Sequence, residues 1–180
     1  MGHCLPMTPS LTDTLCTRCG LCCDGTLFGD VELTGPAEAT RLEIMGLEID
    51  EDEANADLLA LPCTALRGTR CGIYAHRPAC CRGFECRLLL DARRGAMSVE
   101  RAMEHIAVAR KQIRRVLALL VRLETRRGCL PLKERCADAL AGERGAGPEV
   151  ARKRAELAAA MSAVETTIRN TFLAKGPRRG

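Results

Sequence analysis

Tryptophan is absent from this 180-residue chain, which holds only one Tyr and three Phe. Aromatic side chains usually supply much of the buried area of a core. The N-terminal half is therefore expected to have a thin apolar core and to need another tie, from disulfides or from metal. The same scarcity argues against a base-stacking nucleic-acid surface. No run of about 18 apolar residues occurs, so no membrane span is expected. The stretch Met1-Gly-His-Cys-Leu-Pro lacks the basic and apolar regions of a secretory signal, which leads us to expect a cytoplasmic protein. Ser/His/Asp constellations, glycine-rich phosphate loops and a C-x3-C-x2-C radical spacing are all missing.

What the chain has instead is cysteine, twelve in all. In a cytosolic setting, clustered Cys reads as metal-binding or catalytic rather than as a disulfide framework. Four thiols fall in Cys16-Thr-Arg-Cys19-Gly-Leu-Cys22-Cys23, and five more follow at Cys63, Cys71, Cys80, Cys81 and Cys86. The spacing C-x2-C-x2-C at Cys16, Cys19 and Cys22 matches the first three ligands of a bacterial ferredoxin run. The continuation C-x3-C-P is missing, so a fourth ligand would have to come from elsewhere, and the second segment offers several. Adjacent Cys22 and Cys23 point apart in most backbone conformations. One of them is expected to bind a different metal from the other, or to stay free. The thiols of residues 16–86 suffice for two four-ligand sites. Gly20 supplies the positive-φ freedom that a tight thiolate loop needs.

Charge is distributed unevenly. Residues 1–92 hold seven Arg and no Lys against fourteen acids, a net −7, and residues 93–180 carry +11. The halves are electrically complementary, and the basic half suits an anionic partner. Four thiolates around a dication leave −2, which calls for nearby cations. Arg18, Arg67, Arg70, Arg77, Arg82 and Arg87 lie inside the cysteine segments and could donate to sulfur.

Along the chain, residues 1–12 read as an irregular arm in which Cys4 and His3 are passengers. Leu27 to Thr34 alternates like a short strand. A helix is expected from Pro36, with Ala39, Leu42 and Met45 on one face and Gly46 at its end. Acidic residues Ile49 to Asp57 read as a surface loop. Cys71-Gly-Ile-Tyr suggests a short strand. A helix after Arg77-Pro78 should carry Cys86 and Leu88 to Leu90 and stop at Gly95. His76 reads as solvent-facing, and His105 as lying on a helix flank.

Ser98 is the expected N-cap of a long helix. Its apolar seam is Val99, Ala102, Ile106, Ala109, Ile113, Val116, Leu120 and Leu123, widened by Leu117, Leu119 and Val121. Gly128 to Pro131 breaks it, Leu132 to Leu140 forms a short helix, and residues 142–148 connect to a last helix. That helix carries Val150, Leu157, Met161, Val164, Ile168 and Phe172 on one face. Cys129 and Cys136 are read as packing residues. Neither long helix can bury its stripe alone, so the two should pack antiparallel to each other, or dimerise.

Together, Cys16-x-x-Cys19-Gly-x-Cys22-Cys23, Pro62-Cys63, Cys71-x-Ile73-Tyr74, Arg77-Pro78 and Cys81-Arg82-x-Phe84-x-Cys86 resemble the zinc- or iron-chelating CxxCxxCC, or YkgJ-like, cysteine-cluster family. The resemblance covers roughly residues 13–90. It implies that Cys16, Cys19, Cys22, Cys23, Cys63, Cys71, Cys81 and Cys86 are the metal ligands, with Cys80 outside the pattern. Flagellin lysine N-methylases carry a similar cysteine domain associated with an iron–sulfur cluster, which weights the expectation toward iron.

These readings combine into a mainly α protein: an arm (1–12), a small irregular α+β cysteine-cluster domain (13–95) and a basic C-terminal helical hairpin or coiled coil (96–180). The expected cofactor is an iron–sulfur cluster, [4Fe–4S] foremost, or zinc, with Arg77 and Arg82 beside it. The alternatives are a cluster-dependent, methylase-like enzyme acting on a protein or small molecule, and a structural zinc domain carrying a helical interaction module. A protein partner or self-association through the helices is expected, and no membrane.

Overall fold

The computed structural model describes residues 10–123, 128–141 and 147–173. Cys4, His3 and most of the expected arm and connector lie outside these residues. The described chain is mostly helical, with two small antiparallel sheets.

The cysteine segments begin on a helix, α1 (Leu11–Cys19), where an irregular arm and a loop were expected. Its start is fixed by a capping box. The Ser10 hydroxyl accepts from the Asp13 N–H at 3.1 Å, while the Asp13 carboxylate accepts from the Ser10 N–H at 3.3 Å. Its end is Gly20, at φ +72°, whose N–H donates to the Cys16 carbonyl.

Strand β1 (Asp30–Glu32) falls inside the expected strand, and α2 (Pro36–Ile44) starts at the expected proline. Ala39 and Leu42 are buried, but Met45 is the exposed C-cap residue rather than part of the inner face. The acidic segment is not simply a loop. Ile49–Glu51 forms β2 and Asp57–Ala60 forms β3, and the sheet order is β1-β3-β2. Val31 pairs with Leu59, and Ile49 pairs with the same Leu59 from the other side. As an edge strand, β2 can leave Asp50 and Glu51 in water, which is why acids there do not forbid pairing.

A two-residue ladder, β4 (Leu66–Arg67) with β5 (Arg70–Cys71), presents Cys71, and a 3₁₀ turn follows at Tyr74–His76. The expected single helix after Pro78 is two: α3 (Ala79–Gly83) and α4 (Arg87–Arg93). Between them Phe84 and Cys86 are extended, and Cys86 is the N-cap of α4 rather than a mid-helix residue. Gly83 and the extended pair after it end the first helix within two turns.

Helix α5 (Val99–Arg122) begins at Ser98 as expected, with the Ser98 hydroxyl accepting from the Arg101 N–H at 3.2 Å. Of its seam, Ala102, Ile106, Ala109, Ile113, Val116 and Leu120 are buried, together with Leu119, while Val121 is 73% exposed. Helix α6 (Leu132–Ala141) and α7 (Pro148–Thr167) follow, and α7 continues as a π-helical turn, Ile168–Phe172. Leu157, Met161, Val164, Ile168 and Phe172 are buried along it. Helix α5 packs against α7, and α6 packs against both. Cys136 is buried, and Cys129 is exposed rather than a core packing residue.

Two apolar cores result. The larger joins Leu15, Leu21, Leu88 and Leu89 to the inner faces of α5, α6 and α7. The smaller gathers Leu33, Ala39, Leu42, Leu47, Leu59 and Ala65 around the three-stranded sheet. The larger core draws on both sides of position 96, so the C-terminal helices and the first cysteine helix share one interior. At Gly25, where φ is +75°, an added Cβ would lie 3.0 Å from the Pro131 Cα, and the Gly25 carbonyl accepts from the Leu132 N–H. Only a residue without a side chain lets the cysteine turn approach α6 this closely.

Candidate metal centre

Between the two cores lies a cavity of about 610 Å³. Nine cysteines line it: the eight expected ligands and Cys80. All nine are free and half-buried. Each reaches the cavity by a different piece of local structure. Cys16 and Cys19 sit three residues apart on α1, so they share one helix face. Cys22 and Cys23 follow in a turn closed on Gly20, whose carbonyl accepts from the N–H groups of Cys23 and Asp24, each at 3.0 Å. The Cys63 N–H donates to the Cys23 carbonyl at 2.8 Å, tying the second segment to the first. Cys71 comes from β5, Cys80 and Cys81 from α3, and Cys86 from the cap of α4.

Among the described residues, no three Cys, His, Asp or Glu side chains stand close enough together to grip an ion. The thiols line a wall rather than meet at a point. Neutral thiols are weak hydrogen-bonding groups, so only a cation gives four of them a reason to converge.

Burial favours the neutral form of seven of them. Burial pushes the Cys16 thiol up to about 11, Cys86 adds to that, and Arg77 opposes it. Burial raises Cys19 to about 12 against the backbone N–H of Leu21, with Cys86 and Cys16 contributing. Cys22 is raised further by burial and by Cys19, Cys23 and Cys86. Cys23 rises to about 12 through burial and then through Cys63 and Cys71. Burial also raises Cys63, Cys81 and Cys86. An apolar wall disfavours thiolates unless a cation compensates them.

The donor set fits a thiophilic metal. Among the described residues, nine cysteine sulfurs and no histidine line the cavity, and thiolate donors suit zinc and iron–sulfur clusters. His76 is exposed and His105 lies on α5. Cys16, Cys19, Cys22, Cys23, Cys63, Cys71, Cys81 and Cys86 would hold the metal.

Of the cations read as neighbours, Arg77 and Arg82 line the cavity. The Arg77 guanidinium lies 3.6 Å over the Tyr74 ring, and its Nε donates to the Tyr74 carbonyl at 3.0 Å. Arg82 donates to the Arg77 carbonyl, closing a chain of contacts along that side. Arg67 neighbours Cys63 but donates to the Thr64 and Leu66 carbonyls. Arg87 pairs with Asp91 at 3.4 Å, and Arg18 and Arg70 are exposed and do not line the cavity.

Sequence reasoning gave no place at the site to several residues of the cavity wall. Phe28 and the partly exposed Phe84 meet edge to face, their centroids 5.0 Å apart, and both line the cavity. Arg93 lines it too, paired with Glu85. Ile106 of α5 and Phe172 at the end of α7 form part of its wall, 2% and 0% exposed. From α5, Arg110 donates to the Cys19 carbonyl at 2.6 Å, at the negative end of α1. The apolar stripes of α5 and α7 were visible in the sequence, but not that their ends wall the thiol cavity.

Residues 15–96, a little under half of the chain, match the model of a family named CxxCxxCC and described as a "putative zinc- or iron-chelating domain". Neither a curated protein nor a solved structure matched the chain.

Proposed function

We propose, from the premise that residues 15–96 belong to the CxxCxxCC family, that this protein holds iron through its clustered thiolates, as an iron–sulfur cluster of the [4Fe–4S] kind. The observation that carries the reading is that thiols of both cysteine segments line one cavity with room for more than a single ion, about 610 Å³ in all. A single zinc ion sits about 2.3 Å from each of four sulfurs and encloses almost no empty space. A cluster of several irons and sulfides fills volume. When bound, it would supply one-electron chemistry or an iron site. The chain's own part is to exclude water with Ile106, Phe172, Leu88 and Leu89, and to place the Arg77 charge beside Cys16. Purification without oxygen, followed by iron, zinc and acid-labile sulfide analysis, tests this. Iron and sulfide in near-equal amounts support the cluster, zinc alone replaces it with a structural site, and a folded metal-free protein refutes both.

A second reading is catalytic use of the cluster on a protein or small molecule. It is favoured by the extension of the cavity past the thiols to Tyr74, Arg77, Phe28 and Phe84. A metal fully ligated by Cys and closed to exogenous ligands in spectroscopic titration would remove it. The outer face of α5, with exposed Val108, Val121, Lys111, Arg114, Arg115 and Arg122, supports partner binding or self-association there. We place the antiparallel pairing of α5 and α7 in the same proposal. Its support is that Phe172, at the far end of the last helix, and Ile106, early in α5, line one cavity. No helix among the described residues is long and apolar enough to cross a membrane. A cytoplasmic setting would keep the thiols reduced.

A further inference from the structure

Eight ligands are twice what one four-coordinate centre needs, and the structure divides them. Cys16, Cys19 and Cys86 pack against the larger core, under α5 and α7. Cys63, Cys80 and Cys81 pack against the smaller core, beside the three-stranded sheet. The remaining three thiols follow the same division by their neighbours. Of the four thiols near Cys22, Cys19, Cys86 and Cys16 belong to the first group, and the fourth is its chain neighbour Cys23. Cys23 lies near Cys63 and Cys71, and its carbonyl accepts from the Cys63 N–H at 2.8 Å. Cys71 pairs with Leu66 across β4 and β5, and the Leu66 N–H donates to the Cys63 carbonyl at 2.9 Å, which holds Cys71 to Cys63.

We propose that the chain carries two metal centres, one on Cys16, Cys19, Cys22 and Cys86 and the other on Cys23, Cys63, Cys71 and Cys81. The assignment rests on the metal-binding reading above and deepens it. Four thiolates complete either a zinc tetrahedron or the four irons of a cluster, so each set has the ligand number of a complete centre, and its thiols draw in from the cavity wall to meet on the metal. The consecutive residues Cys22 and Cys23 belong to different sets, and the turn on Gly20 holds the peptide that joins them. The sets touch at this point: Cys22 neighbours Cys23, and Cys23 neighbours Cys16. The two centres are therefore close enough for the charge of one to act on the other. Cys80 is in neither set and stands beside Cys81.

The test is metal stoichiometry in the full chain. Wild type, Cys86→Ser, Cys63→Ser and the double variant are purified without oxygen, and metal and sulfide are measured per chain, with far-UV circular dichroism as the fold check. Each single variant is expected to keep about half the wild-type metal, and the double variant to keep none. A folded single variant that loses all its metal shows one shared centre and overturns the proposal, as does a single variant that loses none. Should the variants fail to fold, cobalt(II) titration of demetallated wild type decides. Thiolate-to-cobalt absorbance saturating at two equivalents supports two centres, and saturation at one overturns them. Wild type that takes up no metal at all refutes the underlying metal-binding reading, which distinguishes that failure from the loss of the second centre alone.

Discussion

Replacing Phe172 by Ala tests whether the C-terminal helices are part of the thiol-lined cavity or merely follow it. Phe172 is fully buried, belongs to the larger core and lines the cavity. Truncating a buried Phe costs about 3–5 kcal/mol in transfer and cavity energy. The ring stands beside the cavity, where its neighbours have room to relax, so the lower end applies, about 3 kcal/mol. For a chain of this size, each kcal/mol lowers the midpoint by about 2–4 °C, giving a drop of roughly 6–12 °C. The as-purified protein is melted under circular dichroism, and metal extraction by a chelator is timed at a temperature where both forms are folded. We expect the lower midpoint together with faster extraction, because removal of the ring opens the cavity wall to water. A midpoint within about 2 °C of wild type, with unchanged extraction, would refute a packed wall at this position.

Other perturbations follow from single contacts. Gly20→Ala places a side chain at φ +72° and its Cβ 3.1 Å from the Thr69 Cα, against backbone; a loss of about 1–3 kcal/mol in urea unfolding is expected, and a neutral result would contradict the tight turn. Arg110→Ala removes the 2.6 Å contact with the Cys19 carbonyl and should cost about 1.5–3 kcal/mol, with Arg110→Lys recovering part of it in the same assay. The Glu38 carboxylate accepts from the Ala79 N–H at 2.9 Å and from the Thr34 hydroxyl at 2.7 Å. Burial pushes its carboxyl up, but these bonds and Arg41 outweigh burial and hold it below the ordinary 4.5. Its stabilisation is therefore complete above pH 4.5 and is lost as pH falls through the lower folded value. The stability gap between wild type and Glu38→Gln should narrow on acidification below 4.5, and a gap that widens there would contradict the assignment.

The long-range features divide by how far apart their causes lie in the chain. Helix α5 was legible because its 24 residues repeat one apolar face and begin at a serine cap. Helix α1 was hidden because Cys16 and Cys19 read as loop ligands; its signal was Ser10 with Asp13, a capping pair with Asp in place of the usual Glu. Strand β2 was hidden because Asp50 and Glu51 suggested a solvated loop, and only pairing with Leu58 and Asp57 makes it a strand. The thiol inventory could be read from spacing and resemblance. The division of those thiols between two cores could not, since it depends on Cys23 meeting Cys63 across forty residues. Nor does any local pattern show that Arg110 would reach Cys19.

The central claim is that sulfur from these cysteines, and little else, holds the metal. X-ray absorption at the metal edge of protein purified without oxygen tests it directly. The account predicts a first shell of sulfur at about 2.3 Å, with iron neighbours beyond it if a cluster is present. A first shell dominated by oxygen or nitrogen would contradict it.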